Sequence, residues 1–309
     1  MKRTSVMKRV SKSSLLASLL IALPLPALAA DMHIKGDDGV EIVLHKPAVR
    51  VVSLAPDMAE LLYDVGAGSA LQGTVEYSDY PAAAKQVPRV GDAFHVNIEK
   101  VLALEPDLVL AWQGGTPQAL IDKLRGLGLN VLDLGTHELP DIAANLTVLG
   151  EATGHATGAN LAAEDFRTRL NALRKTYAGA APLRVFYEIS DKPLFTVGGA
   201  QSISRLMEVC GGRNVFADLS DLAPAVNLEA VLARDPEVIV TGNGEGDEQQ
   251  RFQDWQRWPK LAATREGNFV VLNDDWVSRS TPRLLDAGKQ LCEALQAVRD
   301  RHAQQRSLR

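Results

Sequence analysis

One segment of this chain occurs twice. Residues 97–110 read NIEKVLALEPDLVL and residues 227–240 read NLEAVLARDPEVIV. Asn, Glu, Val, Leu, Ala and Pro recur in register. Other positions exchange like for like: Ile98 with Leu228, Glu105 with Asp235, Asp107 with Glu237. The copies stand 130 residues apart, well beyond the roughly 20–50-residue period of a solenoid. That distance suits two similar lobes in one chain. Each copy parses as a helix, a turn at Glu-Pro or Asp-Pro, and an apolar strand. Two α/β lobes that face each other form a cleft, a common place to hold a small molecule.

The first thirty residues stand apart from the fold. Lys2, Arg3, Lys8, Arg9 and Lys12 precede an apolar run from Leu15 to Leu25 and the small-x-small sequence Ala27-Leu28-Ala29. This is the pattern of a cleavable secretory signal. The run is shorter than the roughly 20 residues of a membrane span. No cysteine flanks the cleavage point, which argues against a lipid anchor. Removing five basic residues from 33 leaves 28 against 38 acids, a mature net charge of −10. Such a charge disfavours nucleic acid and anionic membranes as partners. Cys210 and Cys292 are the two cysteines, and in an exported chain they read as one disulfide.

Local patterns give the rest of the organisation. Residues 31–46 alternate around Gly36-Asp37-Asp38-Gly39 and suggest a hairpin. Strands are expected at 51–54, 71–75, 108–112 and 131–134, with helices at 56–64, 97–104 and 117–127. Strand–helix alternation implies a parallel sheet covered on both faces. Residues 138–178 carry only helical spacing, broken at Gly154, and 156–177 reads as one helix joining the lobes. Alternation then resumes: strand 184–189, helices 202–209 and 227–234, strands 237–241 and 269–273, and a final helix 282–302 with a frayed polar tail. The expected division is a signal over 1–30, a lobe over 31–152, a connecting helix over 153–180 and a lobe over 181–309. Lobes joined by one rigid helix should move little on binding.

Catalytic patterns are missing. The six histidines show no HxxxH spacing, no G-x-S-x-G elbow occurs, and no metal site is expected. Gly242-Asn243-Gly244-Glu245-Gly246 has the wrong spacing for a dinucleotide loop, and Glu245 would repel phosphate, so it reads as a surface loop. The aromatic residues carry more information. Tyr77, Tyr80, Trp112, Phe195 and Trp276 all follow expected strands, the edge where α/β sheets bind ligands. Asp275 and Arg279 beside Trp276 add polar groups; their bland alternative is a surface ion pair worth under about 1 kcal/mol. Glu99 and Glu229 occupy the same position in the two copies. A helix dipole favours an acid there, but a matched pair, one per lobe, also suits a symmetric basic partner.

Several segments resemble the periplasmic substrate-binding proteins of ABC importers for cobalamin, siderophores and haem. They are VVSLAP (51–56), EYSDYP (76–81), NIEKVLALEPDLVLAWQGG (97–115), PLFTVG (193–198), MEVCGGRNVF (207–216), NLEAVLA (227–233) and DWVSRSTPR (275–283). Within that family the likeness is strongest to the cobalamin binders. The resemblance implies two parallel-sheet lobes joined by a long rigid helix, with a ligand cleft between them. It implies a monomeric, non-enzymatic protein of the Gram-negative periplasm that carries cobalamin or a related corrinoid to a dimeric permease with ATPase subunits. Tyr77, Trp112, Phe195, Asp275, Trp276 and Arg279 fall where cobalamin binders line the cleft. Glu99 and Glu229 fall where the family places acids that pair with permease arginines, and Cys210 and Cys292 match a disulfide. Two tryptophans of the cobalamin binders correspond to Ala93 and Ala223, a loss of about 1.5–3 kcal/mol for each buried aromatic. Phe94 or His95 stands near enough in sequence to compensate. Haem or a ferric siderophore is the alternative ligand, with Tyr77, Tyr80 and His95 as candidate iron ligands.

Overall fold

The strands that build the interior are buried on both faces, so their sequences are continuous apolar runs rather than alternating ones. Residues Leu108–Trp112, LVLAW, are buried at all but the last position. The structure, a computed structural model, describes residues 31–92, 95–243 and 248–308. The expected signal peptide, Ala93, Phe94 and the centre of the glycine loop (244–247) lie outside the described residues.

A hairpin, β1 (Met32–Lys35) with β2 (Glu41–Leu44), opens the fold. There follow β3 (Val51–Ser53), α1 (Pro56–Asp64), β4 (Leu71–Val75), β5 (Arg89–Gly91), α2 (Ile98–Ala103), β6 (Leu108–Trp112), α3 (Gln118–Gly126) and β7 (Val131–Leu134). Five of these strands form a parallel sheet in the order β5-β4-β3-β6-β7. Two helices come next, α4 (Asp141–Thr153) and α5 (Ala156–Tyr177). Gly154 separates them at φ 73°, a left-handed helix end that suits glycine.

The second half contains β8 (Leu183–Glu188), the short hairpin β9 (Ser190–Asp191) and β10 (Leu194–Phe195), α6 (Ser202–Val209), β11 (Gly212–Asn214), α7 (Leu228–Arg234) and β12 (Val238–Gly242). It ends with α8 (Glu248–Gln256), α9 (Ala262–Glu266), β13 (Phe269–Leu272), α10 (Asp274–Val277) and α11 (Leu284–Ser307). Its parallel sheet has the order β11-β8-β12-β13. The final helix therefore runs five residues beyond His302 instead of fraying there. His302 Nε2 meets Glu266 at 2.5 Å and Arg301 donates to Asn268 at 2.6 Å, and these contacts hold the polar tail on the fold.

The repeat is structural as well as sequential. Asn97 caps α2 by accepting from the Lys100 N–H at 2.9 Å, and Asn227 caps α7 by accepting from the Ala230 N–H at 2.8 Å. Glu105 and Asp235 both turn the chain with positive φ, 43° and 41°. Asp107 accepts from the backbone N–H groups of Val49 and Arg50, while Glu237 accepts from that of Arg184. The like-for-like acids thus tether each repeat to the start of the strand beside it. Arg50 and Arg184 answer by donating to the helix-end carbonyls of Leu104 and Asp235.

Helix α5 buries Ala159, Ala163, Phe166 and Leu170, a seam at helical spacing. One apolar core runs from Leu61 and Leu146 through Phe166 to Leu206, Val240 and Leu291, so it is shared by both sheets. The Cys210–Cys292 disulfide is present and joins the end of α6 to α11 across 82 residues, worth about 4–5 kcal/mol by loop-closure entropy.

Candidate functional site

Open parallel sheets bind ligands beyond the carboxyl ends of their strands, where successive connections diverge. In the first sheet that point lies between β3 and β6, because the chain leaves β3 for β4 and β6 for β7. Asp57 follows β3 there, and Trp112 ends β6. In the second sheet it lies between β8 and β12. A cleft of about 310 Å³ opens where these edges meet. From the first half it is lined by Asp57, Tyr77, Asp79 and Trp112, and from the second by Gln201, Asp274, Asp275, Ser278, Arg279 and Ser280.

Two aromatic faces are positioned by unusual backbone. Tyr77 is held at φ 64° with 76% of its surface exposed. A bulky residue in the left-handed region costs on the order of 1–3 kcal/mol and signals a constraint imposed by its surroundings. The constraint here is Arg279, whose Nη2 donates to the Tyr77 carbonyl at 2.8 Å and to Asp79 at 2.7 Å. Trp112 is held by the turn that follows it. Its carbonyl accepts from Thr116, and a Cβ at Gly115 would fall 1.8 Å from the indole ring. Only glycine lets the ring lie against that turn. In the second copy the equivalent position is Gly242, and Asp274 fills the space where a side chain would begin. The repeats diverge at the residue where each meets the cleft.

Beneath the cleft lies a buried ionic network. Glu60 of α1 is fully buried. It accepts from the Thr281 hydroxyl at 2.6 Å and from Arg283 Nε and Nη2 at 2.7 and 2.5 Å, with Arg279 Nη1 at 3.7 Å. The Arg283 guanidinium also stacks on Tyr80, 3.6 Å from the ring centroid. Sequence had offered Arg279 as a ligand anchor or a surface ion pair. Its side chain is only 10% exposed and is not paired with Asp275; its Nη2 is engaged by Asp79 and the Tyr77 carbonyl and positions the Tyr77 turn.

Of the residues singled out in sequence, Tyr77, Trp112, Asp275 and Arg279 share the cleft. Phe195 and Trp276 do not line it. Phe195 is half-buried in β10 and bridges Ala225, and Trp276 is half-buried against the main core. Phe94 lies outside the described residues, and Ala223 is exposed. His95 is exposed, with Asp92 at 3.4 Å. Glu99 and Glu229 each take the second position of their helix, are exposed, and make no ion pair among the described residues. Sequence reading missed Asp57, Asp79, Gln201 and Glu60. Asp57 reads as a helix-start acid beside Pro56, and Glu60 as one more residue of an amphipathic helix; their partners lie too far along the chain to leave a local pattern.

Among the described residues three carboxyls are pushed up by burial: Asp57 to about 6, Asp64 to about 7, where the Glu60 charge adds to the effect, and Asp133 to about 6, where Asp38 adds to it. A raised carboxyl binds its proton more tightly folded than unfolded. Between about pH 4 and 7 the folded chain then holds more protons, so stability falls as pH rises through that window. Asp79 and Asp218 are shifted down, and what they contribute is lost only at lower pH. The thermal midpoint is therefore expected to be higher at pH 5 than at pH 8, by the equivalent of a few kcal/mol, and Asp57→Asn should flatten the slope. Melting curves at constant ionic strength test this; a midpoint that rises from pH 5 to 8 refutes it.

Comparison with known proteins agrees with this fold. Residues 51–276 match the model of a family described as periplasmic binding protein. A vitamin B12-binding protein of Vibrio cholerae is 40% identical over 249 residues, 81% of this chain and 90% of the relative. The crystal structure of the periplasmic vitamin B12 binding protein BtuF of Vibrio cholerae superposes with a TM-score of 0.76 at 39% identity, covering 82% of this chain and 98% of that one. A periplasmic heme binding protein from Pseudomonas aeruginosa superposes at 0.69 with 25% identity, covering 80% and 92%.

Proposed function

Because the chain belongs to the periplasmic binding protein family, we propose that it captures cobalamin or a closely related corrinoid in the periplasm and delivers it to an ABC importer of the inner membrane. It performs no catalysis. Residues 1–30 serve as the export signal in this reading, and the lobes divide at 31–152 and 181–309 around the connecting segment 153–180.

The observation that carries the reading is the chemistry of the cleft. Among the described residues of the lining, two aromatic faces, Tyr77 and Trp112, stand among four acids, Asp57, Asp79, Asp274 and Asp275, with Arg279 as the one basic side chain. A corrin is a broad ring fringed with neutral carboxamides, whose N–H groups donate to carboxylates. Haem presents two carboxylates and ferric catecholates are anionic, so both would bring negative charge to an acidic wall without a free cation to meet it. The haem-binding relative is also the less similar one. We assign Tyr77 and Trp112 the stacking faces and Asp275 a polar contact at the rim, while Arg279 orients Tyr77 from behind. The family resemblance alone would add Phe94, Phe195 and Trp276, of which Phe195 and Trp276 stand off the described lining. Glu99 and Glu229 are assigned to docking on the two membrane subunits.

Titration of residues 31–309 with cyanocobalamin, cobinamide, haemin and a ferric siderophore, followed by calorimetry and tryptophan fluorescence, tests the assignment. Corrinoid binding with a dissociation constant below about 1 μM, or roughly 8 kcal/mol, is expected. Tight haemin binding without a corrinoid signal would overturn it.

A further inference from the structure

Asp57 is the most deeply buried acid of the cleft wall, only 7% exposed. It sits at the divergence point of the first sheet, between the ends of β3 and β6. Oδ1 accepts from the Met58 N–H at 2.9 Å, which fixes the carboxyl at the start of α1. No ion pair compensates it among the described residues. The Arg279 charge is felt at Asp57, but its guanidinium is engaged by Asp79, Glu60 and the Tyr77 carbonyl. Glu60 on the same helix and Asp79, Asp274 and Asp275 from neighbouring segments add only negative charge around it.

From this placement, and resting on the corrinoid reading above, we infer that Asp57 is a specificity residue that selects ligands whose rim is carboxamide over ligands whose rim is carboxylate. An amide N–H reaching the wall finds a fixed acceptor. A carboxylate there meets a second, poorly solvated anion with no cation between them, and the repulsion is strong because little water screens it. Burial pushes the Asp57 carboxyl up to about 6, so at pH 8 it carries its charge and the selection operates. Asp79 is paired with Arg279, and Asp275 is exposed; both discriminate less.

The test compares cyanocobalamin with its peripheral monocarboxylic acid derivatives by calorimetry at pH 8. Wild-type protein is expected to prefer the intact amide form over at least one acid isomer by tenfold or more. Asp57→Asn keeps the shape and the acceptor for Met58 but removes the charge, and should cut that preference below threefold. Asp57→Ser, with a short acceptor of its own, is the second variant should the first fold poorly. Asp275→Asn should retain more than half of the preference. An unchanged preference in Asp57→Asn or Asp57→Ser, with corrinoid binding intact, overturns the role of Asp57 and leaves the corrinoid reading standing. Failure of the wild-type protein to bind any corrinoid overturns both.

Discussion

Replacing Glu60 with alanine is expected to cost about 3–5 kcal/mol of folding stability, the loss typical of removing one partner from a buried ion pair, and to lower the thermal midpoint by roughly 6–15 °C. The Glu60 carboxylate collects the Thr281 hydroxyl and the Arg283 guanidinium, with Arg279 close by. Those partners lie more than 200 residues further along the chain. Removing the acid leaves the Arg283 guanidinium, whose side chain is only 15% exposed, without its carboxylate, while Arg279 keeps Asp79. The cost belongs to the abandoned Arg283 cation more than to the lost attraction. The double variant Glu60→Leu with Arg283→Met should accordingly recover part of the loss, because an apolar pair of similar volume is often tolerated. A functional effect follows from the same bonds. Arg279 holds the Tyr77 carbonyl and Arg283 stacks on Tyr80, so ligand affinity should weaken in Glu60→Ala although Glu60 does not line the cleft. In wild-type protein the shared core and α5 should keep the radius of gyration nearly constant on ligand binding, and Glu60→Ala should enlarge the change. A midpoint for Glu60→Ala within about 2 °C of wild type would refute the role given to this network.

What the sequence reveals and what it hides divides along contact range. The paired NxExVLA units are legible because every element in them is local: an Asn cap, a helical apolar face, a Pro stop and an apolar strand. The strand of the first unit, and the limits of α1, β4, α5 and α6, coincide with the expected residues, while the strand of the second unit lies one residue later than expected. The tethering roles of Asp107 and Glu237 are half-legible, since the exchange marks them as equivalent without saying what they hold. The Glu60 network is illegible, because its contacts join α1 to three residues of 279–283 and no periodicity encodes a pairing across that distance. Short elements escape for another reason. Strand β5 has three residues, β9 and β10 two each, too few to show any period. Aromatic placement after strands located Tyr77 and Trp112 on the cleft but not Phe195 and Trp276, since following a strand does not determine which way a ring turns. Asp57 was hidden by a sufficient local explanation, as an acid at a helix start needs no further role.

Charge reversal at both acids proposed for docking, Glu99→Arg with Glu229→Arg, is expected to reduce uptake by more than 100-fold while ligand affinity stays within about twofold of wild type. The two acids stand at matched positions of matched helices, each one step inside an asparagine cap. Both are exposed and neither lines the cleft, so reversal disturbs neither the fold nor the ligand wall. A single acid would be unremarkable, because helix dipoles favour one there. Two copies, produced by the same repeat that builds the two sheets, present one carboxylate from each half of the molecule. A partner made of two like subunits meets such a pair with one cation per subunit. Reversal turns both contacts into like-charge encounters, each costing several kcal/mol, whereas alanine would only remove the attraction. Either single reversal should leave measurable transport, and raising the salt concentration should slow wild-type association more than that of the double variant. The measurement is uptake of labelled corrinoid by importer in proteoliposomes supplied with each variant, beside calorimetry on the free protein. Uptake that survives double reversal would show that docking uses other surfaces. Lost ligand affinity in the double variant would show instead that the two helices serve the cleft.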